Sequence, residues 1–214
     1  MQQRCIELLA ASGIEVSEAA AGRFRRFLEL VQTWNQITGL VSAGDLEHLW
    51  DRHVADSLSL APILLSAVGP AGSLLDIGSG GGFPGIILSI VLADWQVTLL
   101  ERSDKKVGFL RTVCGALGLV NARLLHGEYP GIVREQSFSA ITARAVERPN
   151  LVVRNVVRHM DSGGCFLCQL GDPAPEAERF PGMFHVEHIH DIWKEEGIRR
   201  GELYLVRRIV SRLA

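Results

Sequence analysis

Lysine is scarce in this 214-residue chain: three of its 22 basic residues are lysine (Lys105, Lys106, Lys194) and the rest are arginine. Long apolar runs are missing too. The longest, Leu60–Val68 and Ile86–Ala93, fall far short of the roughly 20 residues a bilayer span requires. Glu7 sits where a secretory leader would need its apolar core, so the first residues read as an amphipathic helix and no targeting segment is expected. Four scattered cysteines (Cys5, Cys114, Cys165, Cys168) do not form the dense framework of a small secreted domain, and they point to reduced thiols and a cytoplasmic protein. With 8 prolines, 47% hydrophobic and 21% charged residues, disordered, collagen-like and low-complexity classes are excluded. The net charge of −2 offers no chain-wide polycation to nucleic acid or membrane. The arginine bias suits bidentate phosphate contacts and base stacking, and a GC-rich genome would produce it equally well. The length fits one sizeable domain, or one domain with a helical extension.

Residues 1 to about 70 pattern as helix. After Ser17, an N-cap residue type, Phe24, Phe27, Leu28, Val31 and Trp34 recur at spacings of three and four, one apolar stripe of a helix. Beyond Asp45 a second helix is expected, with Leu46, Leu49, His53 and Val54 on one face, continuing to about Leu65. Arg52 and Asp56 would pair across one of its turns. Gly69-Pro70-Ala71-Gly72 then breaks the chain, dividing a helical extension (1–70) from the main domain (71–214). From there short apolar runs alternate with helix-length segments. Strands are expected at Ser73–Ile77, Trp95–Leu100, Arg123–His126, Ser139–Thr142 and Cys165–Leu170. Helices are expected after the glycine loop to Ala93, over Lys105–Leu117 and over about Pro149–Met160. That alternation predicts an α/β fold with a mostly parallel sheet covered on both faces, and residues 184–192 and 203–210 would add an antiparallel pair at the end.

The strongest signal is the run Leu74-Leu75-Asp76-Ile77-Gly78-Ser79-Gly80-Gly81-Gly82-Phe83-Pro84-Gly85. A strand feeds a turn only glycine permits, a helix follows, and backbone N–H groups would face a ligand at the carboxyl edge of the sheet. Two templates fit. Gly80, Gly82 and Gly85 satisfy the dinucleotide fingerprint, with Glu101 about 20 residues on as the ribose acid. Asp76, Gly78, Gly80 and Gly82 satisfy the first motif of S-adenosylmethionine-dependent methyltransferases, and Glu101 serves that reading equally. Asp76 suits a cofactor bearing an amino group and a sulfonium better than a pyrophosphate, and Pro84 removes an N–H that a pyrophosphate would use.

Four further blocks resemble the RsmG (GidB) family of ribosomal RNA small-subunit methyltransferases. They are Thr33-Trp34-Asn35-Gln36 with Gly39-Leu40-Val41-Ser42, then Arg52-His53-Val54-Ala55-Asp56-Ser57 (similar to "RHxxDS"), the loop through Phe83-Pro84-Gly85-Ile86, and Thr142-Ala143-Arg144-Ala145 (similar to "SRA"). The resemblance covers most of residues 20–170. It implies a class I, Rossmann-like methyltransferase: a seven-stranded sheet with an antiparallel C-terminal strand, behind an N-terminal helical extension. The implied reaction moves the methyl of S-adenosylmethionine to N7 of a guanine in the 530 loop of 16S rRNA, within the small subunit or an assembly intermediate, leaving S-adenosylhomocysteine. Cofactor contacts carried over fall on Gly78, Phe83, Tyr129, Pro130 and Arg144. The chain departs from the family in reading Glu128-Tyr129-Pro130 after Gly127, and in reading Gln169-Leu170-Gly171 where "LKG" is usual.

Guanine N7 carries an in-plane lone pair and no proton, so the implied reaction needs alignment and exclusion of water, with no general base. Arg144, just past the fourth strand, is the candidate catalytic residue, able to bond the guanine edge; the alternative is a salt bridge to a nearby acid such as Glu101. RNA contact would draw on Arg23/Arg25/Arg26, on Lys105/Lys106/Arg111, or on the tail Arg199, Arg200, Arg207, Arg208 and Arg212. Cys165 and Cys168, three apart on a strand, would face opposite ways, so neither they nor His185, His188 and His190 are read as a metal site. A monomer with no metal is expected. Other readings remain: a class I methyltransferase with another substrate, a nicotinamide-dependent oxidoreductase, or a non-catalytic RNA-binding assembly factor.

Overall fold

Ser17 opens the longest helix, its hydroxyl accepting from the Ala20 N–H at 3.1 Å, and Gly39 closes it in the left-handed conformation (φ 60°). The computed structural model describes residues 1–146, 149–169 and 184–208. The extension holds α1 (Gln2–Ala11), α2 (Glu18–Thr38), a 3-10 turn over Ala43–His48, a π-type turn over Trp50–Val54, α3 (Ala55–Leu58) and α4 (Ala61–Ala67). The expected single helix from Leu46 to Leu65 is therefore broken into four pieces. Pro62, at the start of α4, has no N–H to continue the preceding helix. The Ser57 hydroxyl donates to the His53 carbonyl and the Ser59 hydroxyl to that of Asp56, local bonds that compete with the regular ladder.

Beyond the Gly69 break come β1 (Gly72–Ile77), α5 (Gly85–Val91), β2 (Trp95–Glu101), α6 (Asp104–Leu117), β3 (Ala122–His126), β4 (Phe138–Arg144), α7 (Pro149–Val156), β5 (Met160–Gln169), β6 (Phe184–His188), α8 (Ile192–Glu195) and β7 (Tyr204–Arg208). The sheet order is β3-β2-β1-β4-β5-β7-β6. β7 runs antiparallel to both neighbours, and the other pairs are parallel. The expected mostly parallel seven-stranded sheet with an antiparallel strand near the C-terminus is borne out. β5 starts five residues before the expected Cys165 because Gly163 (φ 82°) and Gly164 carry it through an irregularity opposite Phe138 and Ala140. Leu170 and residues 209–210, included in the expected strands, lie outside the described residues.

Each face of the sheet buries its own core. On one side Phe27, Trp95, Phe109 and Leu64 pack with Cys5 and Cys165, joining α1, α2 and α4–α6 to the strands. On the other, Leu75, Ile141 and Phe166 pack with Cys168 and with Val152, Val153 and Val156 of α7. Cys165 and Cys168 thus face opposite ways. α2 is fixed by rings: Phe27 lies 5.1 Å from Phe83 and Trp34 lies 5.9 Å from Phe109. Each of the buried rings, Phe27, Phe83 and Phe109, removes enough apolar surface from water to stabilise by about 2–3 kcal/mol, and half-buried Trp34 less. Among the described residues no helix is long and apolar enough to cross a membrane.

Candidate cofactor and substrate site

The strand order reverses between β1 and β4, and open α/β sheets bind ligands outside the carboxyl ends of strands at such a point. A cavity of about 220 Å³ lies there. β1 contributes Ile77 and the turn after it Gly78, β2 contributes Leu100 and Glu101, and Arg102 and Lys106 follow. Gly127, Glu128 and Tyr129 come after β3, Ala145 and Val146 after β4, and Leu151 and Val152 from α7.

Glu101 is the one carboxylate here held entirely by backbone donors. One oxygen accepts from the Gly80 N–H at 3.0 Å, and the other from the N–H groups of Arg102 (2.9 Å) and Ser103 (2.8 Å). Three of its roughly four lone-pair sites are taken, and the oxygen bonded to Gly80 keeps the free one, so a diol on the cavity side meets a fixed acceptor. The nearby acid that Arg144 meets is Asp56, at 3.6 Å, and not Glu101.

Of the residues expected at the cofactor, Gly78, Glu101 and Tyr129 are on the cavity wall; Asp76, Gly80, Gly82, Phe83, Pro130 and Arg144 are not. Asp76 is buried beneath the loop, accepting from the Gly85 N–H at 3.2 Å and the Thr142 hydroxyl at 2.9 Å. Burial pushes its carboxyl up to about 6, and these hydrogen bonds oppose the rise. The side chain tethers the loop to β4 and α5 and does not face the cavity. Phe83 is core, stacked on His53 (5.0 Å) and meeting the Phe27 ring at a tilt. The expectation of free backbone donors is corrected as well. Gly78 and Ser79 donate to the Leu100 carbonyl, Gly80 to Glu101, Gly82 to Ser79 and Gly85 to Asp76. A pyrophosphate would find these N–H groups already used, which disfavours the dinucleotide template.

Arg144 ends β4, in register with Gln169 of β5, and turns toward the extension. Its Nη2 donates to the Arg52 carbonyl at 3.3 Å and to His53 Nδ1, and its Nη1 lies 3.6 Å from the Asp56 carboxylate. Gln169 Nε2 donates to the same Asp56 oxygen at 3.0 Å. The expected Arg52–Asp56 pair is absent because the π-type turn changes the spacing: Arg52 instead meets Asp45 at 2.6 Å. Burial, and then the Arg144 cation, push the His53 imidazole down to about 4, leaving it neutral and able to accept from Arg144. One histidine, absent from His53→Gln, should therefore stay neutral in an NMR titration until about pH 4. With the folded value below the ordinary 6.5, this contribution to stability is intact above pH 6.5 and lost as pH falls toward 4. A titration of His53 near 6.5 would break the assignment.

Sequence reasoning missed Ala145 and Val146 on the wall. Ala145 carries a positive φ of 47°, which costs an L-residue roughly 1 kcal/mol. Ala145→Gly should raise the melting temperature by about 2–4 °C; an unchanged or lower value would show that the strain is not real. No residue-type signal marks such a position. Tyr129 was flagged only through the resemblance. Its buried hydroxyl has no hydrogen-bond partner among the described residues, and its ring meets that of His159 at 5.5 Å.

The basic groups divide differently from expectation. Arg25, Lys105 and Arg111 are exposed, and Lys106 reaches the cavity. Arg23 donates to the Leu117 carbonyl, and Arg26 pairs with Glu29. Arg199 is fully buried against Asp191 and is removed from any RNA surface. The Arg208 side chain and Arg212 lie outside the described residues. His188 pairs with Glu202 at 2.6 Å and stacks on Tyr204.

Residues 21–183 match the family model for rRNA small subunit methyltransferase G. Curated proteins named "Ribosomal RNA small subunit methyltransferase G" include that of Halorhodospira halophila, 39% identical over 181 residues (84% of each chain). That of Bordetella avium is 30% identical over 195 residues, 90% of this chain and 85% of the relative. Among solved structures, a variant of MtNAS in complex with S-adenosylmethionine superposes with a TM-score of 0.63 at 18% identity, covering 89% of this chain and 76% of that one. A methyltransferase from Pyrococcus furiosus gives 0.52 at 18% identity, covering 68% and 79%. At these identities the two structures speak for the fold alone. The family match spans most of the chain, and the protein belongs to the rRNA small subunit methyltransferase G family.

Proposed function

We propose that this protein transfers the methyl group of S-adenosylmethionine to N7 of a guanine in the 530 loop of 16S rRNA. The observation that carries the cofactor half is the Glu101 carboxylate, held by three backbone N–H groups at the wall of a cavity at the switch point. Glu101 would hold both ribose hydroxyls. Leu100, Tyr129 and Val152 give the cavity apolar surface for a flat base, and Gly78, with φ 73°, brings backbone close to the ligand. When bound, the cofactor supplies an electrophilic methyl on a sulfonium.

The substrate half rests on the family. N7 is already a nucleophile, so the chain's residues have to orient the base and exclude water. Arg144, with Gln169 beside it at the ends of β4 and β5, is assigned to the base. Lys106 at the cavity, with exposed Lys105 and Arg111 on the same helix α6, offers phosphate contacts. Extension and sheet act as one unit in this reading.

Calorimetric titration with S-adenosylmethionine, S-adenosylhomocysteine and NADH tests the cofactor half. Micromolar binding of the first two and none of NADH is expected. NADH binding would overturn the reading, and no binding of any would point to a non-catalytic RNA-associated protein.

A further inference from the structure

We infer that Asp56, from the N-terminal extension, is a positioning residue for Arg144, holding its guanidinium and offsetting its charge beside the target base. The inference rests on the reading of Arg144 as the base-contacting group. Three observations support it. The guanidinium is held from the extension alone, by the Arg52 carbonyl, His53 Nδ1 and the Asp56 carboxylate. Asp56 is itself fixed from β5 by Gln169 Nε2 and is 5% exposed. One oxygen of Asp56, Nη1 of Arg144 and the side-chain oxygen of Gln169 are all buried without a hydrogen-bond partner among the described residues. Buried polar side-chain atoms are mostly paired in folded proteins; nine among the described residues are not, and three of the nine gather at this pair, leaving it polar capacity for a ligand.

The chemistry explains why a carboxylate belongs there. As the methyl passes from sulfur to N7, positive charge moves onto the purine. A lone guanidinium at the base would oppose that charge, while a guanidinium paired with a carboxylate orients the base without opposing it. The neutral His53 fits the same requirement.

The test is a double-mutant cycle on methyl transfer to 16S rRNA, using Asp56→Asn, Arg144→Lys and the pair, with S-adenosylmethionine affinity measured on each. Asp56→Asn is expected to lower kcat about 30-fold while cofactor affinity stays within about twofold, and Asp56→Glu to recover part of the loss. In the Arg144→Lys background the same change should cost less than about threefold, because the two residues act as a unit. Gln169→Leu, which removes the donor to Asp56 without changing charge, should lower kcat about fivefold and decides the matter where Asp56→Asn does not fold. Equal costs in both backgrounds, or cofactor affinity falling in step with turnover, would overturn the inference. A wild-type protein that binds S-adenosylmethionine but leaves 16S rRNA unmethylated would overturn the substrate reading instead, and this inference with it.

Discussion

Replacing Glu101 by glutamine should weaken S-adenosylmethionine binding about 100-fold, although the side chain keeps its size. Both carboxylate oxygens accept from backbone N–H groups, one from Gly80 and the other from Arg102 and Ser103. Whichever way the amide turns, its NH2 meets a donor. In one orientation the glycine loop loses its tie to β2, in the other the Arg102 and Ser103 N–H groups lose their acceptor, and in both the two charge-assisted bonds to the ribose are weakened. At roughly 1.5 kcal/mol each, that amounts to about 3 kcal/mol, or two orders of magnitude in affinity. The melting temperature should fall by a few degrees as well, since about 1–3 kcal/mol is lost wherever a buried donor goes unmet. Calorimetry and thermal unfolding measure the two effects separately. Affinity within about twofold of the parent would show that Glu101 does not hold the cofactor.

The second large effect is expected at Gly85, and it is one of stability. A Cβ there would run into the Leu99 side chain and stand 2.6 Å from Asp76 Oδ2, the oxygen that accepts the Gly85 N–H. Both obstacles sit on neighbouring strands of the sheet, so α5 would have to lift away from it. Overpacking of about 1–3 kcal/mol then adds to a buried carboxylate stripped of a donor, about 1–3 kcal/mol more. Gly85→Ala should lower the melting temperature by roughly 10 °C or leave the protein insoluble. Gly80→Ala is the contrast. Its Cβ would meet only the Gly78 carbonyl at an ordinary 3.6 Å, leaving the cost of φ 52°, roughly 1 kcal/mol. Equal losses at the two positions would contradict the packing described for α5.

Most of the sheet was legible because its strands are buried on both faces and read as short apolar runs between helix-length segments. β1, β2 and the glycine loop lie where the pattern puts them. What escaped was set by contacts distant in sequence. β5 is longer than its apolar run because Gly163 and Gly164, which look like a break, form an irregularity within the strand. The segment after Asp45 has helical periodicity, yet Pro62 and the serine hydroxyl bonds divide it. Its π-type turn then sends Arg52 to Asp45 and leaves Asp56 for Arg144, an exchange that spacing rules cannot show. At the site, Glu101 was readable from its place at the end of β2. Asp76 was read as a ligand-facing carboxylate because the motif carries no information on which side of the loop it lies. Ala145 and Val146 have no chemical signature and reach the cavity only through the course of the chain after β4.

Methylation of N7 of a guanine in the 530 loop is the activity proposed for this protein. The most direct measurement incubates the protein and methyl-labelled S-adenosylmethionine with 16S rRNA, free and in small subunits, from cells lacking the protein, then maps the label by cleavage at 7-methylguanosine and mass spectrometry. One methyl per 16S molecule at a 530-loop guanine, abolished in Glu101→Gln, is the predicted result. No incorporation with either substrate, or label confined to another nucleotide or atom, would contradict it.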